Sequence, residues 1–267
     1  MCRGFNSLRH HKKAARKRLF CYPHMKLLHL LLVIALALSV PVRSQSVDSA
    51  RRSGARPYIA PMVLAGATAV AWRDDGFFSR GAVYDWRQRT HPGFSHDADD
   101  YLQFAPVAVI ALLDMAGVQA ADGYRDLKDQ ISLAVGSQLM MAALVFPLKE
   151  WTAIERPNGA NRHAFPSGHT AQAFLAATLL HRTFGRTNKW YSIAGYTAAA
   201  ATGTMRVLNN AHWLTDVLAG AAIGIVSVNL MHDIRLHRRN RAGSTLSFHP
   251  AWSGAPAVGM TLKFGAD

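Results

Sequence analysis

Phe165-Pro166-Ser167-Gly168-His169-Thr170 opens the apolar run 168–184, and its reading decides how the chain is organised. A serine directly before a helical run is a strong N-cap, and the free amides of the first helical turn form an anion site. Gly168 lets the backbone approach a ligand closely. Two further polar clusters flank the stretch, each at the end of a hydrophobic segment. Upstream, Lys149 is followed by Arg156-Pro157; downstream, Arg206 is followed by His212 and Asp216. Three cations, two histidines, a serine and an aspartate at helix ends suggest a site that holds and hydrolyses a phosphate group.

The surrounding pattern is helical. Apolar runs occupy about 58–72, 101–118, 131–148, 168–184, 190–205 and 213–231, rich in Ala, Leu, Val and Gly, and no period-two alternation interrupts them. The fold class expected is all-α, a helical bundle. Gly195, Ala199 and Gly203 recur every fourth residue, the spacing that lets membrane helices approach closely. Thr, Gln and His inside two of the runs also fit a soluble bundle with a large core. The segment 73–100 carries four Arg, six Asp and several aromatics, including Trp72 at its edge, Tyr84 and Trp86. It reads as a loop that is solvated, interfacial or closed over the site.

The two ends differ from the middle. Residues 3–18 hold seven Lys or Arg and no acid, and Leu27 to Val40 is almost wholly apolar. With small residues after it, this is the layout of a signal peptide over 1–44, with Met25 as a possible true start. Cleavage is expected, because 14 apolar residues are short for a span; an uncleaved anchor is the alternative. Residues 45–57 read as a linker, 58–234 as the helical catalytic domain, and 235–267 as a basic tail with a short C-terminal β-hairpin from 244–248 and 258–264. The net charge of +14 would suit nucleic acid, but the long apolar runs argue for a membrane and no nucleic-acid partner. Cys2 and Cys21 lie together in the N-terminal extension and support neither a disulfide framework nor a metal site.

Chain crossings put all the site residues on one side. Arg182, Arg186, Lys189 and Arg235 to Arg241 fall on the other, which the positive-inside rule makes cytoplasmic, so the site is expected on the periplasmic face of a bacterial inner membrane. A cleaved signal would put residue 45 outside, and six crossings would then put the site inside. The run 58–72 is therefore expected not to cross; it is short and holds Pro61 and Gly66.

Transfer of a phosphoryl group needs positioning and charge stabilisation above all. Arg156 and Arg206 offer planar forks to two oxygens each, Lys149 a point charge, and Ser167 and Gly168 hydroxyl and amide donors. One histidine attacks phosphorus and the other protonates the leaving oxygen. If the helix begins by His212, Asp216 stacks one turn beyond it on the same face and orients the imidazole, so His212 is the better nucleophile and His169 the better acid. No glycine-rich nucleotide loop and no clustered acids for magnesium occur, so no metal and no cofactor are expected.

Lys149-x6-Arg156-Pro157, Pro166-Ser167-Gly168-His169 and Arg206-x5-His212-x3-Asp216 together resemble the three signature motifs of the type 2 phosphatidic acid phosphatase superfamily, which includes class A acid phosphatases and vanadium haloperoxidases. The resemblance covers about residues 101–231. It implies a six-helix bundle, a phosphohistidine on His212, His169 as acid, Asp216 as orienter, and Lys149, Arg156, Ser167, Gly168 and Arg206 as phosphate ligands. Met205 stands where that family often has serine. The substrates implied are lipid phosphates or polyprenyl diphosphates at a membrane. A soluble acid phosphatase, a vanadate-dependent haloperoxidase and a non-catalytic lipid binder are the rival readings.

Overall fold

The computed structural model describes residues 55–263 apart from 74, 75, 122, 125, 243, 244 and 253–255, and from residue 239 onward the backbone alone. The expected signal segment and most of the linker lie outside these residues. Eight helices are described: α1 Arg56–Ala71, α2 Arg80–Thr90, α3 Ala98–Leu102, α4 Ala105–Met115, α5 Leu127–Thr152, α6 Gly168–Phe184, α7 Lys189–Leu208 and α8 Leu214–Ala242. Beyond α8, the backbone of β1 Thr245–Trp252 pairs antiparallel with that of β2 Pro256–Lys263.

Helix starts follow side-chain chemistry. Ser79, Asp126, Ser167 and Asn188 each cap a helix by accepting a backbone N–H two or three residues ahead. The segment 73–100 is not one loop: Ser79 starts α2 inside it, and α3 begins at its end. The apolar run 101–118 is broken at Gln103-Phe104, where α4 starts anew with Pro106 in its first turn.

Asn229 Nδ2 donates to the Pro57 carbonyl and Tyr58 Oη to Asp233 Oδ2 in the C-terminal half of α8. Trp72, at the other end of α1, packs edge-on against Phe165 with centroids 5.2 Å apart. Hence α1 runs antiparallel to α8 toward the end that carries Ser167. The run 58–72, expected not to cross, is thus a 16-residue helix packed along α8, shorter than the 26 residues of α5.

The core sits between α5, α6 and α8, where Leu133, Val145, Leu175, Leu180, Phe184 and Val228 are almost fully buried. The tightest approach is α6 on α8. A Cβ on Gly220 would stand 2.5 Å from the Ser167 carbonyl oxygen, and one on Gly224 would stand 2.3 Å from that of Ala171. Gly203, foreseen as a contact residue, leaves room for Val217, whose Cγ1 would be 2.9 Å from an added Cβ.

Gly224→Ala is therefore expected to force α6 from α8 and to cost about 1–3 kcal/mol, as overpacking does. A lowered melting midpoint of the purified protein checks this; an unchanged one would contradict the packing.

Candidate active site

The cations come together at the Ser167 end of the bundle. Lys149 lies in the last turn of α5, and its Nζ donates to the carbonyls of His163 (2.9 Å) and Pro166 (2.7 Å). α5 stops because Ala153 adopts the left-handed conformation, with φ 44°. The chain then turns back on itself: Ala164 N donates to the Ile154 carbonyl and Arg156 N to that of Asn161. This return loop presents Arg156 beside the start of α6. Arg206 enters from the last turn of α7.

Arg156 Nε and Arg206 Nε are both buried and without a hydrogen-bond partner. Burying a guanidinium donor unmatched is costly, and a tetrahedral oxyanion with several acceptor oxygens is the complement of two such donors. Burial first, then the charge of Arg206, draws the Arg156 guanidinium below its ordinary value. Gathering like charges in this way favours an anion among them.

His212 is almost wholly buried, at 2% exposure, just ahead of α8. Its Nδ1 lies 2.8 Å from the Ala164 carbonyl oxygen and 3.4 Å from Asp216 Oδ2. A carbonyl only accepts, so Nδ1 carries the hydrogen and Nε2 keeps its lone pair. The tautomer is thus set chiefly by Ala164, a main-chain group that residue-type reasoning missed, with Asp216 as the nearby negative charge. Asp216 is itself anchored: its Oδ2 accepts from Trp213 N at 2.8 Å, and its carbonyl accepts from Ser167 N at 2.9 Å. Burial outweighs Asp216 and holds the His212 imidazole at about 4, so the ring is neutral at physiological pH.

Ser167 is fully buried, and its Oγ accepts from Thr170 Oγ1 (2.9 Å) and Thr170 N (3.4 Å). It is a capping residue first, with its own hydroxyl hydrogen still to donate. A Cβ on Gly168 would meet nothing within 4 Å, so the first amides of α6 border open space. His169, one residue on, is half-buried, and its Nε2 lies 2.8 Å from Asp100 Oδ1.

Asp99 and Asp100 belong to α3 and were not foreseen as site residues; they stood among six aspartates in a segment read as a loop. Asp99 is 1% exposed, takes Arg206 Nη1 at 2.6 Å and accepts from Asn209 Nδ2 at 3.0 Å. A buried acid was the only signal available, and burial is not legible from residue type. At the edge, Arg80 lies 5.6 Å from the Trp72 ring centroid and 5.5 Å from that of Trp213, a cation–π pair. A shallow opening bounded by Arg80, Tyr84, Pro157 and Trp213 reaches His212.

Comparison with known proteins places these features. Residues 131–240 match the PAP2 superfamily model, a span that holds all eight sequence-derived site residues and neither Asp99 nor Asp100. Over 138 residues, 50% of the chain, the sequence is 41% identical to a lipid A 1-phosphatase of Porphyromonas gingivalis, of which it covers 29%. It is 28% identical over 91 residues, 34% of the chain, to a lipid A 4'-phosphatase of the same organism, of which it covers 38%. The chain thus spans well under half the length of these curated relatives. Among solved structures it is similar to LpxE of Aquifex aeolicus, with TM-score 0.42 and 21% identity over 56% of this chain and 93% of that one. It is also similar to a PAP2 type phosphatidylglycerolphosphate phosphatase of Bacillus subtilis, with TM-score 0.48 and 18% identity over 69% of this chain and 98% of that one.

A neutral buried His212 has a consequence for pH. Its folded value of about 4 lies below the ordinary 6.5, so between these values the unfolded chain binds more protons at this residue than the folded one. Stability is expected to fall as pH drops through that window. The acid limb of kcat/KM, corrected for ionisation of the substrate, is expected near 4; a His212 limb near 6.5 would show the ring to be solvated.

Proposed function

We propose that the chain is a metal-independent PAP2-type phosphatase that hydrolyses lipid phosphate monoesters or diphosphates through a phosphohistidine on His212. The observation that carries this reading is the pairing of a buried imidazole, hydrogen-bonded through Nδ1 to Ala164, with two buried guanidinium donors that have no protein acceptor.

Arg156, Arg206, Lys149, the Ser167 hydroxyl and the amides at Gly168 hold the phosphoryl oxygens. Nε2 of His212 attacks phosphorus, and positive charge develops on the ring beside Asp216. As the P–O bond breaks, its electron pair goes to the leaving oxygen, which takes a proton from His169. In the second step water loses a proton to His169 and attacks the phosphohistidine, and the N–P pair returns to Nε2. The sum is ester plus water giving alcohol plus phosphate, with no metal in either step. Among the described residues no three His, Cys, Asp or Glu side chains converge as a ligand set; near the anion site, Asp99 and Asp100 are engaged by Arg206 and His169.

A lipid substrate and a membrane setting fit the surface. Leu127–Thr152 and Leu214–Arg238 are long and apolar enough to cross a bilayer. On α5, Ile131, Val135, Leu139 and Phe146 are exposed along one side, and on α1 so are Ile59, Met62, Val63 and Val70. Apolar surface on this scale marks a contact with lipid or protein. The reading takes six helices, α1 and α4 to α8, as the membrane bundle. The far end, with Arg182, Arg186, Lys189 and Arg235, is placed on the cytoplasmic side and the site on the periplasmic face. The relatives named as lipid A phosphatases bring lipid A forward among the candidate substrates, which include polyprenyl diphosphate, phosphatidylglycerol phosphate and phosphatidate.

Phosphate release from these four lipids by purified protein tests the reading. His212→Ala is expected to abolish turnover, by about 10⁴-fold or more for loss of a nucleophile, while vanadate binding largely persists. Activity is expected to survive EDTA. Retained turnover in His212→Ala, or a strict magnesium requirement, would overturn the mechanism. A fluorescent reporter fused at the C-terminus, which folds only in the cytoplasm, is expected to light up; a dark fusion would reverse the orientation.

A further inference from the structure

Two adjacent acids from α3, outside the span matched by the family model, tie together the phosphate-binding and acid-donating sides of the site. Asp99 Oδ2 holds Arg206 Nη1 at 2.6 Å, and Asp100 Oδ1 lies 2.8 Å from His169 Nε2 and 3.7 Å from the same Arg206 Nη1. The chain leading into α3 is itself fastened to α7: Asn209 Oδ1 accepts from His96 N, Asn209 Nδ2 donates to the His96 carbonyl at 2.8 Å and to Asp99 at 3.0 Å. Asp99 is 1% exposed, so α3 is pinned at the point where Asp100 meets the ring.

We propose that Asp100 is a positioning residue for proton transfer: it accepts the Nε2 hydrogen of His169 and so leaves Nδ1 as the atom that gives the proton to the leaving oxygen. This rests on the reading of His169 as the acid. A carboxylate only accepts, so the observed contact requires hydrogen on Nε2. A ring that must also donate from its other nitrogen is then the doubly protonated imidazolium, with its Nε2 hydrogen held by Asp100. When Nδ1 releases its proton, as the P–O electron pair passes to the leaving oxygen, His169 becomes the neutral Nε2–H tautomer still bonded to Asp100. Its Nδ1 lone pair is then in place to take the proton of the attacking water. The groups that face His169 are Asp100, Asp99 and Arg206; of these, Asp99 is already matched to Arg206, which leaves Asp100 to His169. Asp100 is half-exposed, so changing it does not empty the core.

The test is a double-mutant cycle with two substrates, a long-chain alkyl phosphate whose leaving oxygen needs a proton and nitrophenyl phosphate whose leaving oxygen does not. Asp100→Asn is expected to lower kcat for the alkyl phosphate roughly 10- to 100-fold, part of what general acid catalysis supplies. KM is expected to change little, nitrophenyl phosphate to lose less than about threefold, and Asp100→Glu to recover part of the alkyl rate. In a His169→Asn background, Asp100→Asn is expected to cost nothing further, because it acts through the ring. Equal losses on both substrates, or losses that add in the double variant, would overturn the proposal and leave Asp100 a structural residue. Vanadate affinity equal to that of the unaltered protein shows that the variant keeps its fold. If the unaltered protein releases phosphate from neither substrate nor any of the four lipids, it is the phosphatase reading that fails.

Discussion

Everything at the site depends on how closely α6 lies against α8. Gly220 and Gly224 leave no room for a Cβ against the Ser167 and Ala171 carbonyls. At that contact Ser167 N donates to the Asp216 carbonyl at 2.9 Å, joining the start of one helix to the first turn of the other. The first amides of α6 and the His212–Asp216 pair at the start of α8 are thereby fixed in one frame. A catalytic arrangement must be held within fractions of an ångström to act, and main-chain contact between two buried helices is a stiff way to do it. His212 is locked from the other side by the Ala164 carbonyl, which belongs to the same return loop that carries Arg156. Loop and helices therefore close on the ring together.

The charge pattern follows from this frame. Of Lys149, Arg156 and Arg206, it is Arg206 that has a buried carboxylate partner, Asp99. Lys149 spends its hydrogens on the carbonyls of His163 and Pro166, which steadies the return loop and leaves its charge at the site. Asp99 steadies Arg206 through one nitrogen and leaves Nε without a partner. Donors held in place in this way are the complement of an oxyanion, the premise of the proposed mechanism.

Much of this was legible in the residues, and the limits have physical causes. The three clusters could be read because serine caps, helix-end cations and a His–Asp pair one turn apart are local patterns, and the local chain does place them as expected. The helical reading of the apolar runs held because 3.6-residue periodicity and small residues act locally too. What the residues did not show depended on long-range contact. That α1 packs along α8 rests on Tyr58 and Trp72 meeting residues far away in the chain, which no count of 15 apolar residues reveals. The segment 73–100 read as a loop because its acids and aromatics looked solvated, yet Asp99 is buried by Arg206 and Asn209, more than a hundred positions on. The role of Ala164 was invisible for a different reason: the group that acts is a carbonyl, which every residue has.

The central claim is that His212 makes the bond to phosphorus. The most direct measurement is to mix the protein with ³²P-labelled lipid substrate, quench in alkali, where phosphohistidine survives, and sequence the labelled peptide by mass spectrometry. The account predicts label on the peptide containing His212, lost on brief acid treatment and absent from His212→Ala. Turnover by the unaltered protein with no trapped label, or with label on His169, would contradict it.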